Sequence, residues 1–344
     1  MPQDRSNTTV TPRIPLKRRA LVAGALALPF AAAPARAQAE KVILTIDWLP
    51  TGDKQAGFGG IAQGFFAAEG IDLEIRRGSG AADSLNRVAT GASHFGYSDI
   101  ANVMVARPQG AAVKAILSLH ARPAHAVIAL STSGISRFAD LQGRSLGTAP
   151  TASSNLFFPL IMRDSGLDPA RVRVVNTDPA ALGPMLLTKR VDAAMLWLTN
   201  TVQLEAPARE AGAELVVLPF SLVGLRMYSG VIIAADATLA NRADLTHRFT
   251  RAMRRSLLFQ IQDPLAVARA TAASNPQQNP EVEASRIEIM KRGMLETDPA
   301  KYGQFDPEVL RETYRWIVRA QNVNPDLDPE SFVERRFLNA IIGA

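Results

Sequence analysis

Gly57–Gly64, GFGGIAQG, decides which kind of α/β fold this chain adopts. Gly57, Gly59 and Ala62 satisfy the G-x-G-x-x-A pattern that cradles a dinucleotide, and Asp72 stands near where a ribose-binding acid is sought. In a dinucleotide fold the first glycine sits at the tight turn directly after the strand. Here eight residues, LPTGDKQA, separate Trp48 from Gly57, so the glycines fall on the helix itself. They read instead as small residues that let this helix approach the sheet closely, and no cofactor is expected.

Around that stretch the chain alternates strands and helices. Lys41–Trp48 reads as a buried strand, and Phe58, Ile61, Ala62 and Phe65 recur at helical spacing before Glu69-Gly70. Strands follow at Ile71–Ile75, His94–Tyr97 and Val113–Leu119, with a helix at Leu85–Ala89 and another from Ile100 capped by Ser98-Asp99. A like order recurs after Phe138. Strands are predicted at Ser145–Thr148, Val172–Asn176, Val191–Leu196 and Leu215–Leu218, separated by helices at Leu156–Asp164, Ala180–Lys189 and Thr201–Ala211. A strand at Val231–Ala234 precedes a helical tail with proline starts at Pro264, Pro280, Pro307 and Pro329. Two α/β units of this kind favour parallel sheets with helices on both faces.

The first forty residues are of another kind. Arg13, Lys17, Arg18 and Arg19 precede the short apolar run Ala20–Ala33, and Ala35-Arg36-Ala37 offers a cleavage site, so residues 1–37 read as a signal peptide. The apolar run is too short to span a hydrocarbon core of ~30 Å. The Arg18-Arg19 pair raises twin-arginine export as an alternative to the ordinary route. Six basic residues and one acidic residue lie at or before Ala39, so the formal charge of +6 falls to about +1 in the mature chain. No dense basic stripe remains to neutralise phosphates, which disfavours a nucleic-acid partner. The chain has no cysteine, so disulfides and thiolate metal sites are excluded.

Two catalytic patterns fail on context. Gly143–Gly147 matches G-x-S-x-G, but a nucleophile elbow needs a strand before its serine, and Ser145 begins one. His94, His120, His125 and His247 lack metal-ligand spacing, and NPDLDPE around Asp326 lacks the glycine and distal glutamate of a calcium loop. No metal is expected.

What remains is a set of polar and aromatic residues where strands end, the edge at which open α/β sheets bind ligands. In the first unit these are Trp48, Asp53, Gln55, Ser79, Ser98 and Asp99; in the second, Thr151, Ser153, Ser154, Asn155, Trp197 and Asn200. Asp99, Ser98 and Ser154 have a competing role as helix caps, and the tryptophans one as packing. An indole just past a strand is well placed to stack on a flat ligand, and the N–H groups of Ser153–Asn155 can hold an anion or a carbonyl. Arg226 and Tyr228 offer a cation and a hydroxyl, while Asp178 reads as a loop or cap residue.

ARAQAE, DWLPTGDKQAGF, AQGFFAAEGIDLEI, GASHFGYSD, FADLQGRSLGT and KRVDAAMLW, in this order, resemble the exported solute-binding proteins of ABC importers. The likeness is to the NMT1/THI5-like group, which contains thiamine-pyrimidine, riboflavin, sulfonate and nitrate binders. It implies a type II periplasmic-binding-protein fold: two doubly wound α/β lobes joined by a two-crossing hinge. The crossings are expected near Leu130 and Gly230, giving a discontinuous lobe I of residues 40–130 plus 231–344 and a lobe II of 131–230. The resemblance also implies a monomer in the periplasm that closes on a small organic molecule and delivers it to a permease and its ATPase. It places the Trp48 loop and Ser98-Asp99 on one side of the ligand, and Thr151–Asn155 with Trp197 on the other. DWLP most resembles the pyrimidine-precursor branch, which commonly has a histidine where Lys54-Gln55 stand here. The expected ligand is a flat heteroaromatic such as a pyrimidine precursor or flavin, or an aromatic carboxylate; the alternative is a small anion, alkanesulfonate or nitrate. The related yeast-type pyrimidine synthases carry a cysteine-rich motif that this chain lacks, so no enzyme activity is carried over. A competing reading, an exported enzyme on the same scaffold, needs Asp99 or His120 as a general acid or base.

Overall fold

A computed structural model of the chain describes residues 39–296 and 298–343; the expected signal peptide lies outside them. Ten strands carry the architecture: β1 (Glu40–Ile46), β2 (Ile71–Arg77), β3 (Phe95–Asp99), β4 (Val113–Ser118), β5 (His125–Leu130), β6 (Ser145–Thr148), β7 (Arg173–Asn176), β8 (Ala193–Trp197), β9 (Leu215–Pro219) and β10 (Gly230–Ala235). They form two sheets of five, ordered β2-β1-β3-β10-β4 and β7-β6-β8-β5-β9. In the first, β1 runs parallel to β2 and β3 while β10 is antiparallel to β3 and β4. The second repeats this pattern, with β6 parallel to β7 and β8, and β5 antiparallel to β8 and β9.

This is the expected two-lobed fold, with one correction to its boundaries. The sequence reading finds no strand between Leu119 and Phe138 and assigns residues up to Leu130 to lobe I. In fact β5 pairs with β8 and β9, so the chain crosses to the second sheet at residues 119–124. It returns at residues 220–229 to lay β10 into the first sheet. Each lobe thus owes its antiparallel strand to a hinge crossing.

Helices in chain order are α1 (Ala56–Ala62), α2 (Phe65–Ala68), α3 (Ala81–Ala89), α4 (Ile100–Ala106), α5 (Ser154–Asp164), α6 (Pro179–Leu187), α7 (Thr201–Glu210), α8 (Asp236–Asn241), α9 (Ala243–Gln262), α10 (Pro264–Ser274), α11 (Pro280–Gly293), α12 (Pro307–Gln321) and α13 (Arg336–Ile342). In β1 the alternate residues Val42, Leu44 and Ile46 are buried, and β5 is buried at every position, as a central strand covered on both faces is. The glycines of α1 are packing residues. A Cβ at Gly57 would meet Ile75 of β2 at 2.9 Å, at Gly59 Val267 of α10 at 2.6 Å, and at Gly60 Ser256 of α9 at 1.9 Å. Only the first serves the sheet; the other two admit the tail helices. Ser145 opens β6 and donates its hydroxyl to Asp192 at 2.6 Å, a structural clasp with no histidine in it.

The lobes are drawn together. Arg77 of lobe I pairs with Asp178 of lobe II at 2.9 Å, and the Thr151 hydroxyl donates to the Ser79 carbonyl at 2.9 Å. The Ala82 N–H donates to the Thr151 carbonyl at 3.2 Å. Deeper in, Arg286 of α11 donates to the Gln203 side chain of α7. This is a closed arrangement.

Candidate functional site

Between the lobes, at the carboxyl ends of β1 and β8, lies a cavity lined from lobe I by Asp47, Trp48, Thr51, Asp53, Lys54 and Ala81. Lobe II contributes Ala152, Ser153, Ser154, Met195, Leu196, Trp197, Thr199 and Asn200. Its non-atom space is about 500 Å3 with the solvent mouth included, but water-sized spheres can be centred over only about 30 Å3. A cavity that takes one benzene ring is about 150 Å3, so the lobes as closed here leave space for only a few waters.

Three charges are buried in its wall. The 3-10 turn Gly52–Lys54 turns the Lys54 ammonium inward, where it meets Asp53 at 2.8 Å and Asp47 at 3.0 Å. It also lies 4.6 Å from the Trp197 ring centre and 5.2 Å from that of Tyr97, within cation-π range. Burial disfavours the ammonium, but Asp47 and Asp53 outweigh it and raise the lysine above its ordinary value. Burial raises the Asp47 carboxyl, and the pull of Lys54 offsets this only in part. Asp47 Oδ1 and Asp53 Oδ2 thus share one ammonium, Lys54 Nζ, as their ion-pair partner.

Behind the cavity the hinge crossings meet in a polar cluster. Asp99 caps α4 through the Ala101 N–H at 3.0 Å and accepts from the Ser229 hydroxyl at 2.8 Å. Its Oδ2 lies 3.4 Å from His125 Nε2, the same nitrogen that faces Ser153 Oγ at 2.9 Å. Burial raises the Asp99 carboxyl, but His125, the Ala101 N–H and Ser229 together hold it below the ordinary range. Burial, then Lys54, pushes His120 well below its usual value, and its Nε2 lies 3.6 Å from Asp53. A Ser-His-Asp relay needs serine and acid on opposite ring nitrogens. Here both face Nε2, and His125 Nδ1 has no hydrogen-bond partner.

Of the fourteen residues expected at the site, Trp48, Asp53, Ser153, Ser154, Trp197 and Asn200 line the cavity. Ser79 and Thr151 meet each other at the lobe seam, and Asp99 stands behind the wall. The others are elsewhere. Gln55 faces α11, donating to Pro50 O at 3.1 Å and Glu283 at 3.2 Å. Ser98 ties β3 to the Ala81 carbonyl at 3.0 Å, and Asn155 closes its own loop through the Ala149 carbonyl at 2.8 Å. Arg226 is exposed, while Tyr228 is buried against Phe305 and accepts from the Asp306 N–H at 2.7 Å. Asp178 caps α6, as expected. Asp47, Lys54 and Thr199 were missed as lining residues. For Asp47 and Lys54 the signal was present, since both belong to the same strand-end loop as Trp48 and Asp53.

The family model described as NMT1/THI5 like matches residues 58–267, well over half of the chain. The chain is 22% identical over 284 residues to the formylaminopyrimidine-binding protein of Halalkalibacterium halodurans, covering 81% of this chain and 84% of that one. It is 26% identical over 245 residues to the riboflavin-binding protein RibY of Chloroflexus aurantiacus, covering 69% and 68%. A 4-amino-5-hydroxymethyl-2-methylpyrimidine phosphate synthase of Saccharomyces cerevisiae shares 21% identity over 250 residues, covering 70% and 73%. Among solved structures, the alkanesulfonate-binding protein SsuA from Xanthomonas axonopodis pv. citri superposes with a TM-score of 0.67 at 12% identity, covering 86% and 98%. The chain belongs to the NMT1/THI5-like family.

Proposed function

We propose that this protein is the exported solute-binding receptor of an ABC importer, and that it captures a small, single-ring nitrogen heteroaromatic bearing an amino group. One observation carries the ligand class: a cavity between the lobes, walled by two indoles, into which the buried ion cluster of Asp47, Asp53 and Lys54 faces. An amino group donates to a carboxylate, a ring nitrogen accepts from the ammonium, and the ring face meets indole. Carboxylates outnumber cations in this wall, which argues against the sulfonate or nitrate alternative, since an anion would face net repulsion. The histidine geometry supports a receptor over an enzyme, because neither His125 nor His120 has the oriented base-and-acid arrangement of a proton relay. Trp48, Asp53, Ser153, Ser154, Trp197 and Asn200 are the contacts retained from the sequence reading, joined by Asp47, Lys54 and Thr199.

Binding is conformational on this reading: ligand touching both lobes favours the closed form. The test is a thermal-shift and tryptophan-fluorescence titration of the mature protein with 4-amino-2-methylpyrimidine, riboflavin, an alkanesulfonate and nitrate. Stabilisation by the aminopyrimidine alone, following RT ln(1 + [L]/Kd), is the expected result. Stabilisation by the sulfonate or nitrate without it would overturn the ligand class.

A further inference from the structure

A second, apolar space adjoins the cavity. It lies between Trp48-Leu49 of lobe I and the facing sides of α6 and α7 in lobe II, with Pro184, Leu187 and Leu204 in its walls. Trp48, Leu196 and Asn200 line both spaces, so the Trp48 side chain stands where they adjoin. Their chemistry is opposite. The enclosed cavity holds three charged side chains, whereas no residue lining the annex is charged. Their volumes differ as well, about 290 Å3 in the annex against about 30 Å3 in the cavity. Both lobes wall the annex, so closure assembles it together with the binding cavity.

We infer that the annex is a ligand subsite, and that the ligand is amphipathic: a polar one-ring head in the charged cavity carrying an uncharged alkyl or aryl substituent past Trp48. The inference rests on the receptor reading above and deepens it. The small cavity cannot take such a substituent, and the annex, which shares Trp48, Leu196 and Asn200 with it, lies beside it. Seating a methylene there contributes about four-fold in affinity, the equivalent of ~0.8 kcal/mol.

The test compares 4-amino-2-methylpyrimidine with its 5-butyl derivative by calorimetry on the mature protein, on Ala180→Trp and on Leu187→Glu. Ala180 is exposed on α6 at the annex wall, and its N–H, which Asp178 caps, is untouched by the side chain. Its variant therefore guards against a folding defect in Leu187→Glu. The expected result is a gain of roughly a hundred-fold or more for the butyl compound in the natural protein, abolished in both variants while the parent ring keeps its affinity. A butyl compound no tighter than a parent that does bind overturns the subsite and leaves the receptor reading intact. If the parent ring does not bind, the head assignment has failed, and n-butylbenzene tests the annex alone through the Trp48 indole N–H resonance. A saturable shift that Ala180→Trp removes supports the subsite; no shift overturns it.

Discussion

Lys54→Met is the substitution that tests the electrostatic account of the cavity most directly. Methionine keeps the apolar stem but removes the charge that holds Asp47 and Asp53, whose side chains are 7% and 6% exposed, in a dry wall. Removing one member of a buried ion cluster costs roughly 3–5 kcal/mol, because uncompensated carboxylates are left behind. For a chain of this size, at about 2 °C per kcal/mol, that is a fall of roughly 6–10 °C in Tm. The pH dependence identifies the cause. Burial already raises Asp47 with Lys54 present, and losing the ammonium removes an influence that lowers it. A carboxyl whose folded value exceeds its unfolded value binds its proton more tightly when folded, so stability rises as pH falls toward that value. The deficit of Lys54→Met is therefore largest near neutrality and shrinks on acidification. In the natural protein the raised lysine contributes fully below its unfolded value of ~10.4, so on its account stability is flat from pH 6 to 9. Urea unfolding of both proteins at pH 7.5 and pH 5 measures this. A deficit below about 1 kcal/mol at pH 7.5, or one equal at both pH values, refutes the reasoning and assigns the loss to packing. The triple variant Asp47→Asn, Asp53→Asn, Lys54→Met should regain most of the stability, since a neutral wall carries no such penalty.

Trp48→Ala should weaken aminopyrimidine binding by roughly 1–3 kcal/mol while the apo protein still unfolds cooperatively, as paired calorimetry and urea melts will show. Gly80→Ala should oppose closure: a Cβ there falls 2.2 Å from Thr151 Oγ1 and 2.6 Å from its backbone carbonyl, which only parting of the lobes relieves. At least ~ten-fold weaker binding and a larger radius of gyration in small-angle scattering with saturating ligand are expected, ten-fold being about 1.4 kcal/mol. Gly91→Ala, at a left-handed φ with nothing within 4 Å, lies away from the lobe seam and should leave scattering unchanged. Asp99→Ala should cost about 1–3 kcal/mol through the lost α4 cap and the orphaned Ser229 hydroxyl. Because Asp99 is held below its ordinary value, its contribution is present above about pH 4 and lost on further acidification, so natural and variant melts should converge only below that.

How far the sequence carries is visible at Lys54 and Gln55. Two α/β units and a cleft at strand ends follow from periodicity and from the rule that ligands bind beyond the carboxyl ends of strands. That rule marks a loop and is silent on which of its side chains turns inward. Within the 3-10 turn successive residues rotate by ~120°, so Lys54 faces Asp47 while its neighbour Gln55 faces α11. What holds Gln55 there is Glu283, more than two hundred positions later, and no local pattern encodes such a partner. The strand β5 was hidden for a related reason. No helix separates it from β4, so the alternation that reveals other strands passes over AVIAL. Tyr228 likewise takes its place from Phe305 and Asp306 in the tail.

On the proposed reading, the donors and acceptors of the wall constrain the ligand further. The pyrimidine-precursor branch that DWLP resembles commonly has a histidine where Lys54-Gln55 stand, and an imidazole can either donate or accept. An ammonium only donates. Flanked by two carboxylates, which only accept when ionised, it leaves a wall that asks for an acceptor at one point and for donors on either side. An amino group next to a ring nitrogen supplies both within one flat ring. A sulfonate supplies acceptors alone, which would leave Asp47 and Asp53 facing like charge. On the proposed reading, the ring is held with its amino edge toward the carboxylates. Moving the amino group on the ring relative to the nitrogen, with no other change in the compound, should therefore cost at least ~ten-fold in affinity, or about 1.4 kcal/mol. Two positional isomers that bind equally would show that the indoles alone hold the ligand.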